Sequence, residues 1–417
     1  MTDERYNEID QMKPEELQAV LEAEYREYTA ARYLRISKAE IPELMAHIET
    51  AQQGMLPIWA TGFRKLDEKL DGGFLGGNLV VIGAISSLGK TTFALQIADQ
   101  IAKKGKDVLI FSLEMSKNEL NAKRISRTTY TLPDAGVQYN RETKQYERKG
   151  KPEQSYRLTM GDILRGRVGV LGDERRKLFD RAVNEILKLN DHLYLIRDND
   201  IDLDKIGDIV QAHEDATGHK PLVILDYLQI LKAREDSRTA DKRLLTDDDV
   251  NRLKDLAVKH DIPVLAVSSF NRNSYLESVS MGSFKESGTI EYSSDTLIAL
   301  QYSGMQYKKH WFTDDRGRKK IVYESKTEHD TRVRLLVEKM DEAGAAGNFL
   351  PIDVVVLKNR GVSKGKILFE FCPKYNVFCE KPDQNTHAYD WNEDSERDDF
   401  KDLETDEKTP FDNLGSV

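Results

Sequence analysis

The sequence predicts an α/β fold with a mainly parallel sheet and helices on both faces, and three observations point that way. Short apolar strands alternate with helical stretches over some 300 residues. One of them, Asn78 to Gly83, runs directly into a small-residue loop and then an amphipathic helix. Another, Val223-Ile224-Leu225-Asp226, is an apolar strand that closes on an aspartate.

The elements follow in order. Apolar positions Leu17, Val20, Leu21, Tyr25 and Tyr28 recur at helical spacing among Glu and Arg, which predicts an amphipathic helix from Pro14 to Ala31, and a second runs Ile41 to Ala51. The texture changes after Thr61, where Gly72, Gly73, Gly76 and Gly77 lead into the first strand, so the core is expected to begin near Ile58. Further strands are expected at Val108 to Leu113, His192 to Ile196, Leu222 to Leu225, Val264 to Ser268, Thr296 to Gln301 and Ile352 to Lys358. Two polar segments, 139–156 and 307–347, read as surface insertions of hairpin, helix or loop. After Glu380 the chain is acidic and poor in aliphatic residues, the composition of a disordered tail. The expected organisation is therefore a helical N-terminal extension and linker (1–57), a core (58–380) and an acidic tail (381–417).

Composition narrows the class. The chain of 417 residues is 39% hydrophobic and 32% charged, no apolar run approaches the roughly 18 residues of a membrane span, and the polar N-terminus lacks the pattern of a secretory signal. A soluble, cytoplasmic protein without membrane partners is expected. The two cysteines, Cys372 and Cys379, lack the spacing of a zinc site and read as small buried hydrophobes. A net charge of −10 looks adverse to nucleic acid until it is located: from Lys381 to Val417 there are 12 acidic against 4 basic residues, so the body is nearly neutral and free to carry a basic channel.

Chemistry concentrates where strands end. The loop Ile85-Ser86-Ser87-Leu88-Gly89-Lys90-Thr91-Thr92 between strand and helix has the context of a phosphate-binding loop. Its backbone N–H groups from Ser87 to Thr91 and the helix N-terminus would wrap phosphates, Lys90 would reach the β and γ oxygens, and Thr91 would ligate Mg²⁺; Ser86, Leu88, Gly89 and Thr92 complete the cradle. ATP and Mg²⁺ are thus the expected ligands, although Ala84 stands where the GxxxxGK[ST] pattern has its first glycine. Asp226, ending its strand, is the Walker B aspartate that holds the metal through water. Glu114, after Leu109-Ile110-Phe111-Ser112-Leu113, sits at the same sheet edge, placed to orient and deprotonate an attacking water; capping of the following helix is its alternative use.

Five further strings carry a resemblance: Phe111-Ser112-Leu113-Glu114-Met115-Ser116, Asp226-Tyr227-Leu228-Gln229, Ser268-Ser269-Phe270-Asn271-Arg272, Glu286-Ser287-Gly288-Thr289-Ile290-Glu291 and Lys358-Asn359-Arg360-Gly361. In this order after the phosphate loop they resemble the RecA-like motor domain of DnaB-type replicative helicases, over roughly Ile58 to Glu380. The resemblance implies a hexameric ring that hydrolyses ATP between subunits while moving on single-stranded DNA, with a primase or loader protein as partner. It also implies that Lys358 and Arg360 reach the γ-phosphate of the neighbouring subunit, and that Lys285, Glu286, Ser287, Gly288 and Arg272 belong to the DNA-contacting segment.

Three departures qualify the resemblance. Ser269 stands where the family usually has a γ-phosphate-sensing Gln, about 57 residues precede the core where the family has a full helical collar, and Lys123 replaces a common Arg. Ser269 and the short N-terminus favour a second reading, a DNA-binding ATPase that loads or remodels other proteins without unwinding. The segment Lys308 to Lys320 mixes cations with Trp311 and Phe312 and reads first as a solvated hairpin, with single-strand contact as the alternative.

Overall fold

The computed structural model describes residues 14–33, 37–52, 57–132, 137–140, 145–148, 156–170, 172–198, 201–226, 242–284, 287–313, 319–360 and 364–381. The chain divides into two units, Met1–Pro57 and Ile58–Val417. The first contains α1 (Pro14–Tyr33) and α2 (Ser37–Gln52), slightly longer than the expected helices. Tyr25 on α1 and Leu44 and Met45 on α2 are at least half exposed.

The second unit begins with β1 (Ile58–Trp59), α3 (Arg64–Lys69) and β2 (Phe74–Leu75), and then β3 (Leu79–Ala84), α4 (Lys90–Ala102), β4 (Val108–Ser112) and α5 (Lys117–Thr131). A ribbon of β5 (Val137–Asn140) and β6 (Gln145–Arg148) follows, with α6 (Met160–Leu164), α7 (Asp173–Leu189), β7 (Leu193–Ile196), α8 (Leu203–Thr217) and β8 (Leu222–Asp226). Next come α9 (Lys242–His260), β9 (Val264–Ser269), α10 (Ser287–Ser293), β10 (Thr296–Tyr302), the ribbon β11 (Lys309–Thr313) and β12 (Lys319–Tyr323), and α11 (Lys326–Ala346). The last strands are β13 (Leu350–Asn359), β14 (Gly365–Cys372) and β15 (Val377–Glu380).

Nine strands form one sheet in the order β15-β14-β13-β10-β3-β9-β8-β4-β7. From β10 to β7 every neighbour pairs in parallel. Burial explains this block: in β3 the side chains of Val80, Ile82 and Ala84 enter one apolar cluster while Leu79 and Val81 enter the other, so both faces are covered and the strand is apolar throughout. Phe93 on α4 anchors the first cluster, stacking at 5.3 Å on Phe63 and meeting Phe369 and Phe378 edge-on.

The structure adds one feature that the sequence left open and corrects one expectation. The strand expected at Ile352 to Lys358 is antiparallel to β10, and β14 and β15 continue the antiparallel block beyond it. Only a few residues join β13 to β14 and β14 to β15, too few for the crossover that parallel pairing requires. The segment 307–347 is also more than a surface insertion: Val333, Leu336 and Met340 of α11 form an inward stripe that joins the main cluster. The tail after Lys381 and positions 141–144 and 149–155 lie outside the described residues. Among the described residues no helix is long and apolar enough to cross a membrane. Cys372 is buried and Cys379 half-buried, and burial pushes both thiols up.

Candidate nucleotide site at the sheet edge

The carboxyl ends of β3, β9, β8 and β4 lie side by side, as the pairs Ala84–Ser269 and Ser112–Asp226 record, and the chemistry-bearing residues leave the sheet there. After Ala84 the chain curls through Ser87 (φ 66°) and Gly89 (φ 87°) before α4 starts at Lys90. Glycine is required at 89 on two counts, because the backbone is left-handed and a Cβ would stand 2.7 Å from the Phe371 ring. Gly83 is likewise fixed by close approach, since a Cβ there would meet Phe284 at 2.4 Å and Phe270 at 2.5 Å.

Inside the curl the Lys90 ammonium donates to Ala84 O at 3.2 Å and Ile85 O at 3.0 Å. Burial lowers its pKa, while Asp226 and Glu114 pull it back up. Asp226 is 3% exposed. Burial raises its carboxyl to about 6, and the charge of Glu114 adds to the rise; a hydrogen bond with the Thr91 side chain and the charges of Lys90 and Lys123 oppose it. Its Oδ2 is buried without a hydrogen-bond partner, an expensive state for a carboxylate and one that a hard cation beside the Thr91 hydroxyl would relieve. The donor set therefore fits Mg²⁺ completed by phosphate and water oxygens.

Glu114 is exposed on the turn after β4. Helix capping does not occupy it: α5 is capped by Ser116, whose hydroxyl accepts from Glu119 N while the Glu119 carboxylate accepts from Ser116 N at 2.8 Å. Lys123, in the middle of α5, was given no role by sequence yet belongs here. Its ammonium donates to Thr92 Oγ1 and Asn376 Oδ1, each at 3.1 Å, and although burial lowers its pKa it interacts with Asp226 and Glu114. Beyond standing where the resembled family has an Arg, a lysine in mid-helix gives no local signal of a role; packing of α5 against α4 brings it in. The neighbouring Arg124 and Arg127 serve structure, both pairing with the carboxylate of Asp99.

The other candidates fall elsewhere. Arg272 is exposed on a 3-10 turn, and the loop it opens returns over the site through a hydrogen bond between Tyr275 Oη and Ser86 Oγ and through Asn271 Nδ2, which donates to Phe284 O at 3.0 Å. Ser287 and Gly288 begin α10, whereas Lys285 and Glu286 lie outside the described residues. Lys358 and Arg360 sit at the opposite edge of the sheet, where Lys358 pairs in register with Leu297 near the start of β10. Lys358 Nζ donates to Glu291 O and Ser294 O at 2.5 and 2.7 Å; Arg360 pairs with Asp295 at 3.3 Å. They do not join Lys90 within one chain.

A family model described as the C-terminal domain of DnaB-like helicases matches residues 59–151 and 153–380. The replicative DNA helicase DnaB of Helicobacter pylori (strain J99) is 26% identical over 349 residues, covering 80% of this chain and 62% of that protein. DnaB of Geobacillus stearothermophilus is 25% identical over 383 residues, 90% of this chain and 68% of that protein. The chain thus spans under two thirds of the Helicobacter relative's length. Among solved structures, one described as an ATPase domain superposes with a TM-score of 0.60 at 19% identity, over 82% of this chain and 99% of that one. A DnaB-like replicative helicase, described together with its interactions with primase, gives 0.58 at 20% identity, over 82% and 66%. At such identities the likeness is one of fold.

Proposed function

The chain belongs to the family of DnaB-like helicase C-terminal domains, and from that premise we propose that it is an ATP-hydrolysing motor that assembles as a ring, moves on single-stranded DNA and unwinds duplex during replication. One observation carries the reading furthest. The loop, cation-hungry carboxylate and exposed glutamate occupy one edge of the sheet, and the Lys358–Arg360 pair occupies the other. Cations so placed serve a γ-phosphate only across a subunit boundary, which makes turnover a property of the assembly.

In this reading Thr91 and Asp226 would hold Mg²⁺, which would supply neutralisation of the phosphate charge when bound. Lys90 leaves the carbonyls of its own loop to bind the phosphate oxygens. Glu114, exposed and beside that cluster, takes the proton of the attacking water. Lys123 tempers the carboxylate charge. Lys285, Glu286, Ser287, Gly288 and Arg272 contact the DNA backbone; a primase or loader protein is the partner of the ring.

ATP turnover with and without single-stranded DNA, beside strand separation of a forked duplex, tests this directly for the wild type and Glu114→Gln. DNA-stimulated turnover with unwinding that disappears in Glu114→Gln is expected. Hydrolysis without strand separation would instead favour a loader or remodeller, the reading that Ser269 at the end of β9 supports.

A further inference from the structure

Both cations of the Lys358–Arg360 pair are gathered by one stretch of chain, the last turn of α10 and the two residues after it. Lys358 Nζ donates to Glu291 O, Tyr292 O and Ser294 O at 2.5, 3.3 and 2.7 Å, which matches its three protons with three carbonyls; the end of the helix leaves the first two without an intrahelical donor. Arg360 Nη2 donates to Tyr292 O at 3.2 Å, and the Arg360 backbone N–H donates to Asp295 O at 3.2 Å. Arg360 Nη1 lies 3.3 Å from Asp295 Oδ1, although 59% of the arginine side chain is exposed. An exposed guanidinium on a long stem has many rotamers open to it, so its orientation depends on what holds it.

Asp295 is itself anchored through its other oxygen. Its side chain is 5% exposed, Oδ2 accepts from Leu79 N at 2.8 Å and from Lys254 Nζ of α9 at 2.7 Å, and Asp295 N returns a bond to Leu79 O at 2.9 Å. Lys254 Nζ is tied in turn to Gly77 O at 2.8 Å. A carboxylate pinned at one oxygen by the residue that opens β3 presents the other in a fixed direction, and the guanidinium lies there. We infer that Asp295 is the positioning residue of Arg360, holding the guanidinium in the orientation in which it meets the γ-phosphate bound by a neighbouring copy of this chain. This rests on the motor reading above, in which the arginine acts across a subunit boundary. A carboxylate kept only to fasten the start of β3 would need Oδ2 alone. The Asp295 charge also opposes the lowering of the Lys358 pKa by burial and by Arg360, so one carboxylate serves both cations.

The competing role for Asp295 is support of the chain's own phosphate loop, because Leu79 opens the strand that leads there. The two roles serve different nucleotides. β3 runs about 17 Å from Leu79 to Ala84, so Asp295 and Arg360 stand a strand's length from their own loop. Support of β3 would act on the nucleotide of the same chain, and alignment of Arg360 on that of its neighbour. Mixing of variants separates them.

The test is ATP turnover of the full chain in mixed and reassembled pairs of variants. Asp295→Asn keeps an amide oxygen for Leu79 N and Lys254 and turns an NH2 group toward Arg360, so the anchor stays and the attraction goes. Alone it should bind nucleotide as the wild type does and turn ATP over at least about tenfold more slowly, the cost of a misplaced group. Mixed with Lys90→Ala it should regain turnover, because some interfaces then join its intact loop to an aligned arginine; mixed with Arg360→Ala it should not, because no arginine in that ring is aligned. Recovery with Arg360→Ala, recovery with neither partner, or turnover equal to the wild type's overturns the positioning role. Arg360→Lys is the second check and leaves Asp295 untouched: it keeps the cation but cannot span Asp295 Oδ1 and Tyr292 O, so full turnover in it overturns the role even where Asp295→Asn misfolds. Failure of Lys90→Ala and Arg360→Ala to complement each other overturns the trans reading, and the positioning role with it.

Discussion

The hydroxyls of Ser86 and Tyr275 lie 3.1 Å apart, which ties the phosphate loop to the segment that runs from the end of β9 back over the sheet to Phe284. The Tyr275 ring packs on the second apolar cluster. Removing only the hydroxyl, in Tyr275→Phe, should leave DNA-independent ATP turnover intact and reduce its stimulation by single-stranded DNA about fivefold, the effect of one hydrogen bond worth about 1 kcal/mol. Steady-state turnover against DNA concentration reads this out; undiminished stimulation would show that the contact transmits nothing.

Lys358 and Arg360 at one edge and Lys90 at the other predict complementation. Lys90→Ala and Arg360→Ala should each lose turnover, Arg360→Ala while still binding nucleotide. Mixed and reassembled, they should regain a measurable fraction, because some interfaces then pair an intact loop with an intact arginine. A mixture as inactive as its components would place the arginine in cis or outside catalysis.

The Asp226 carboxyl, raised to about 6 by burial, makes stability fall with pH. A carboxyl whose folded pKa exceeds its unfolded value near 3.9 costs nothing while protonated in both states; the cost grows from about pH 4 and is complete above about pH 6. Nucleotide-free Asp226→Asn should therefore match the wild type near pH 4 and exceed it at pH 7 by up to about 3 kcal/mol, less whatever Lys90 loses with its counter-charge. Denaturant unfolding across pH 4 to 8 measures the difference. Mg²⁺-dependent turnover should be lost in the same variant, and a wild type that gains on the variant as pH rises would contradict the assignment.

Asp107, 3% exposed, lies 2.7 Å from His192 Nδ1, 3.1 Å from His219 Nδ1 and 3.2 Å from His213 Nε2. Although burial opposes ionisation, these rings hold its pKa below the usual value. A depressed carboxylate gives stability that is present above its unfolded pKa and lost as pH falls through the folded one. Asp107→Asn should cost about 1–3 kcal/mol at pH 7, and the difference should fade below about pH 4. Chemical denaturation at the two pH values decides it.

The grouping of the candidate nucleotide-site residues at one sheet edge was legible in the sequence because they are contiguous or sit at strand ends: Gly89, Lys90 and Thr91 follow one strand, and Glu114 and Asp226 close two others. Such residues announce themselves through the continuous apolar runs before them, and parallel pairing then brings the strand ends together. The amphipathic helices were legible for the same reason, since periodicity is local. What sequence missed depends on long-range packing. Lys123 reaches Thr92 only because α5 lies against α4, and Arg332 finds Glu324 only because α11 folds back along the ribbon. The antiparallel block β13–β15 was hidden because an apolar strand reads alike in either direction.

By itself, then, the sequence determined the chemistry available at each strand end and the two-sided burial that makes the sheet, for these are fixed by side-chain type and short-range period. Only the tertiary structure decided which distant groups share a site. Asp107 gathers histidines 85 and 112 positions away, and Lys358 lands at the edge opposite Lys90. Strand order and direction set those meetings through close packing of the whole sheet, and no local pattern encodes them.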